Sequence, residues 1–70
     1  MVANKNKLLG KIAENGYTRK AFAEAMGMSV QSLALKIKSK AYEFTIGESL
    51  KAKEILHLSV DEYLDIFINF

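Results

Sequence analysis

The stretch "AFAEAMGMSVQSLALKIKSK", residues 21–40, constrains the fold more than any other part of this sequence. Two short apolar-periodic pieces meet at Gly27-Met28-Ser29, and lysines crowd the far end. Ala21, Phe22, Ala25 and Met26 recur at helical spacing before the glycine, and Val30, Leu33 and Ile37 form the expected inward stripe after it. Thr18 is placed to cap the first piece and Ser29 the second, because a short side-chain oxygen can accept from the unpaired N–H groups of a first helical turn. Gly27 suits a turn that needs the left-handed conformation. Ala23, four residues earlier, is small enough to let the two helices approach closely.

The rest of the chain follows the same pattern. A first helix is expected over about Lys5 to Glu14, with Leu8, Leu9, Ile12 and Ala13 as its apolar face and Asn15-Gly16 as its stop. After a loop at "KAYEF", the run Thr45-Ile46-Gly47-Glu48 fits a capping box and opens a fourth helix, in which Ala52, Ile55 and Leu56 face inward. His57-Leu58 ends it. Ser59-Val60-Asp61-Glu62 is a second capping box, and a fifth helix should bury Val60, Tyr63, Leu64 and Phe67. Seventy residues with no Pro and no Cys make one small domain, residues 1–70, without disulfide or thiolate–zinc support. Five helices leave little room for strands, so the expected fold is all-α: a compact five-helix bundle containing a helix-turn-helix formed by helices 2 and 3.

Charge is unevenly distributed. Residues 1–41 carry eight Lys/Arg against Glu14 and Glu24, a balance of +6; residues 42–70 carry Lys51 and Lys53 against six acids, a balance of −4. Such asymmetry suggests a basic face for a polyanion. No apolar run approaches the roughly 18 residues of a membrane span, and "MVANKNKLLG" holds no signal core. The expected setting is therefore soluble and intracellular, with no membrane partner. Catalysis is not expected, since the chain has no Cys and one His, His57, and no nucleophile–base–orienter set. Nor does a second ligand type stand at metal spacing, so no metal or cofactor is expected.

At about 100° per residue, with Leu33 inward, Gln31, Leu35 and Lys38 fall within about 40° of the opposite pole and Ala34 lies on their flank. Gln can read adenine through two hydrogen bonds in a major groove, and the methyl groups of Ala34 and Leu35 can touch thymine methyls. Lys36, Lys38 and Lys40 at the helix exit can bind phosphates but read no sequence.

On these residues the chain resembles the phage repressor and Cro-like family of helix-turn-helix domains. The resemblance runs through "ENGYTRKAFAEAMGMSVQSLALKIKSK", "EFTIGE" and "ILHLSVDEYLDIF", from about Lys7 to Phe67. Ala23, Gly27, Ser29, Leu33 and Ile37 stand where that family needs them. The resemblance implies a regulator that binds double-stranded operator DNA as a homodimer, in the cytoplasm of a bacterial host and on its nucleoid. It implies base-reading or base-flanking roles for Val30, Gln31, Ser32, Ala34 and Leu35. It implies backbone contacts from Ser29 and Lys38 and from the start of helix 2, at Thr18, Arg19 and Lys20. Two departures stand out: the apolar Ala34-Leu35 on the exposed face of helix 3, and Leu50, which falls off the inward stripe of helix 4. Leu50, with Ile66, Ile68 and Phe70 of "DIFINF", is the expected dimer contact, since a monomer should not leave such a patch exposed. The alternative is that the motif binds protein, as an antirepressor docking on another phage regulator.

Overall fold

A computed structural model describes residues 1–39 and 42–68. Its elements are α1 (Lys5–Glu14), α2 (Arg19–Met26), α3 (Val30–Lys38), α4 (Ile46–Ile55) and α5 (Val60–Phe67), and no strand occurs among the described residues. The protein is an all-α, five-helix globule. Each helix starts on a short polar side chain that accepts a hydrogen bond from a first-turn N–H: Asn4, Thr18, Ser29, Thr45 and Ser59 in chain order. Thr45 and Ser59 are full capping boxes, with Glu48 and Glu62 reaching back to the cap N–H at 2.8 Å in both cases.

Three helices end in the same way. Tyr17 N–H reaches the Ile12 carbonyl, Met28 N–H that of Ala23 and Leu58 N–H that of Lys53, each closing a turn around a residue of positive φ. That residue is Gly16 (φ 79°), Gly27 (φ 76°) and, in the third case, His57 (φ 53°).

α1 packs on α5, and α2 packs on both α3 and α4. The core between them holds Leu8, Ile12, Phe22, Leu33, Ala52 and Leu56. Phe44, from the loop before α4, is fully enclosed and meets Phe67 edge-on at 5.7 Å between ring centroids. The N-terminal segment closes the same end. Ala3 is buried, Asn4 N–H bonds the Ile66 carbonyl at 2.6 Å, and Phe44 N–H bonds the Met1 carbonyl at 2.9 Å. Ser49 is the one buried polar residue among those described; its hydroxyl donates to or accepts from the Tyr63 hydroxyl at 2.7 Å and lies 2.7 Å from the Ile46 carbonyl. A hydroxyl thus takes an inward position in α4, tying it to α5 and turning Leu50 outward.

Several expected faces are corrected. Ala13 is exposed rather than part of the α1 stripe, and Val30 and Val60, both first residues of their helices, are largely exposed. Ile66 is only 1% exposed, so it belongs to the core and not to a dimer contact. The segment Met1–Asn4 lies over the end of α5 and covers it. That makes the inward direction of α5 fall on Ile66, Phe67 and Tyr63 rather than on Val60 and Leu64.

Candidate nucleic-acid interface

α2 and α3 are joined by residues 27–29 alone, and Gly27 supplies the left-handed step that so short a connection requires. A Cβ there would stand 3.6 Å from the Lys51 ammonium, an ordinary contact, so it is the backbone conformation that calls for glycine. Leu33 and Ile37 hold α3 to the core. Its other side carries Val30, Gln31, Leu35 and Lys38, all exposed, with Leu35 at 46%; Ser32 and Ala34 are half-buried on the flanks. Ser29 accepts from the Ser32 N–H at 3.1 Å and donates to the Ser32 hydroxyl at 3.0 Å, fixing the first turn. Thr18 does the same for α2, accepting from the Ala21 N–H at 3.1 Å, and Arg19 and Lys20 beside it are exposed.

The basic residues divide into two groups. Lys11 bridges Glu62 and Glu14, Lys7 faces Asp65 at 3.9 Å, and Lys36 meets Glu48 at 3.1 Å. Lys5, Arg19, Lys20, Lys38, Lys51 and Lys53 have no ion-pair partner among the described residues. The pairing leaves its mark on the acids. Lys11 holds the Glu62 carboxyl down at about 2, with the Ser59 N–H adding to the effect, while Glu62 and then Glu14 raise Lys11 above its ordinary value. Partial burial pushes Glu48 upward, but the Thr45 N–H and the Lys36 ammonium outweigh it and hold the carboxyl low.

Lys36, expected among the backbone contacts, is one of the paired lysines. Its side chain is 21% exposed, and it donates to the Glu43 carbonyl and to Glu48, which ties the end of α3 to the start of α4. Lys40 lies outside the described residues. Of the expected dimer residues, Leu50 (52%) and Ile68 (50%) are exposed, Ile66 is buried, and Phe70 lies outside the described residues. Ile46, one turn before Leu50, is also exposed.

Two grooves flank α1. One, between α1 and α5, is lined by Lys7, Lys11, Glu14, Glu62 and Asp65, so its cations and anions answer each other. The other, of about 530 Å³, separates the N-terminal segment from the end of α3; Asn4, Lys5 and Asn6 form one bank and Ile37, Lys38 and Ser39 the other. No acid lines it. Nothing local in the sequence announced this second groove, because its banks, the N-terminal segment and the end of α3, are far apart in the chain; only the basic balance of the first 41 residues hinted at it.

What these features define is a small all-helical domain with an exposed, partly basic helix at a tight turn and no helix long and apolar enough, among the described residues, to cross a membrane. The chain belongs to the DUF739 family, described as a protein of unknown function, which matches residues 1–69. No curated protein matches it.

Proposed function

We propose that this protein is a sequence-specific regulator of transcription that binds double-stranded operator DNA through a helix-turn-helix formed by α2 and α3, in the manner of a phage repressor or Cro-like protein. The observation that carries the reading is α3 itself. It is anchored by Leu33 and Ile37, and it turns Gln31, Leu35 and Lys38 to solvent across a three-residue connection from a helix that begins Thr18-Arg19-Lys20. α3 enters the major groove. Gln31 reads a base edge, Ala34 and Leu35 pack on thymine methyls, and Val30 and Ser32 flank them. Ser29, Lys38 and the start of α2 hold the phosphate backbone. Two copies bind a two-fold site, with recognition helices about 34 Å apart and Leu50 and Ile68 toward the partner copy. The bacterial and phage setting rests on the family resemblance.

Selection from random duplexes at about 100 mM salt tests this. Enrichment of a palindrome is expected. An unrepeated half-site would remove the dimer. No enrichment at any salt would remove sequence reading. A second reading has its own support in the exposed Leu35 and Val30, both apolar and on the same helix. In it, α3 docks on another regulator protein, and the protein forms a stoichiometric complex with that partner while binding DNA weakly and without sequence preference.

A further inference from the structure

We propose that the groove between the N-terminal segment and the end of α3 is a second docking surface for the phosphate backbone of duplex DNA. Lys5 and Lys38, on its opposite banks, each contact phosphates of the same stretch of strand. This rests on the DNA-binding reading and extends it to a part of the chain outside α2 and α3.

The two grooves differ in how their charges are answered. Lysines are common on helix surfaces and usually pair or solvate. Here the lysines of the α1–α5 groove all have acids in reach, and Lys36 is taken by Glu48. In the groove that holds Lys5 and Lys38, no acid lines either bank, and neither lysine has an ion-pair partner among the described residues. Like charges on the two banks of one groove repel, and the repulsion falls when an anion lies between them. Lys38 is the link to the proposed interface, since it belongs both to the exposed face of α3 and to this groove. A strand tracked by Lys38 therefore passes Lys5. The exposed amide of Asn6 stands beside it as a further donor, whereas the Asn4 side chain is already used, accepting the Lys7 N–H at 3.2 Å.

α1 provides an internal control. Lys5 and Lys7 are two residues apart and so point to nearly opposite sides of the helix. Lys5 lines the groove facing α3, and Lys7 lines the one facing α5. Replacing either with Gln changes net charge equally, so any difference between the two reports contact and not overall field.

The experiment is titration of a random-sequence duplex with the full chain, as wild type, Lys5→Gln, Lys7→Gln and Lys38→Gln, over a range of salt. Thermal melts of each variant confirm that it is folded. Lys5→Gln and Lys38→Gln should each flatten the slope of log K against log salt by about 0.9, one phosphate contact apiece. Lys7→Gln should leave the slope at the wild-type value. Equal slopes for Lys5→Gln and Lys7→Gln, with wild type still binding, would overturn this proposal and leave the DNA-binding reading standing. Absence of salt-dependent binding by the wild type would overturn both.

Discussion

His57 is the one residue other than glycine with positive φ among those described, and it stands where Gly16 and Gly27 stand in two other helix ends. A side chain in that conformation costs about 1 kcal/mol or more, so the end of α4 carries strain that the other two ends avoid. His57→Gly should raise unfolding stability in urea by about 0.5–1 kcal/mol, somewhat less than the strain released, because glycine also frees the unfolded chain. A loss of stability would mean that the exposed imidazole makes a contribution its surroundings do not reveal. On α3 the residue-scale expectation is a contrast. Gln31→Ala should cost about 1–3 kcal/mol on the best operator and relax one base position, while Lys38→Ala should weaken all sequences alike. Identical effects of the two across a panel of duplexes would collapse the distinction between reader and positioner.

At the scale of elements, the junction of α1 with α5 depends on Glu62. It caps its own helix through the Ser59 N–H and meets Lys11 across the groove, so its carboxyl is held at about 2, below the roughly 4.3 of an unfolded chain. A depressed acid stabilises the fold fully above the unfolded value, and that contribution drains away as pH falls toward the folded one. Wild type should therefore lose stability between about pH 4.3 and 2. Glu62→Gln, which keeps an acceptor for the cap but not the charge, should start lower and fall less steeply over that window. Parallel curves in acid denaturation would assign the loss to other groups. The element boundaries themselves were legible in the sequence, because caps and glycine stops act within four or five residues. Lys5–Glu14 for α1, the cap residues Thr18, Ser29, Thr45 and Ser59, and Gly27 all match expectation. Periodicity was weaker at helix ends, where Val30 and Val60 run past the core.

At the scale of the whole molecule, what the sequence hid are contacts between distant segments. Phe44 sits in a stretch that reads as loop, yet it fills the space between Met1–Asn4 and Phe67. Ile66 reads as a surface residue until that segment is laid over it. Lys36 reads as one of three alternating lysines until α4 brings Glu48 to it. The same limit applies to the candidate site: the outward face of α3 follows from its own spacing, while the groove shared by Lys5 and Lys38 needed the tertiary fold. A radius of gyration of 10.7 Å matches the roughly 11 Å of a compact chain of this length, and so small a core leaves little in reserve. Phe44→Ala should cost about 3–5 kcal/mol, a large part of the stability of a domain this size, and should lower the midpoint of a thermal melt while the transition stays cooperative. A shift of only a few tenths of a kcal/mol would place Phe44 outside the cooperative core.

The five capping side chains, at residues 4, 18, 29, 45 and 59, mark where each helix begins. Core positions tolerate exchange among aliphatic residues of similar volume, but a shifted cap would lengthen or shorten a helix. Descent should therefore erode this protein's identity faster than its metre. A relative whose interior has been rewritten position by position would still place Ser, Thr, Asn or Asp on the same beats, and a search for that rhythm would reach kin that overall resemblance no longer reveals.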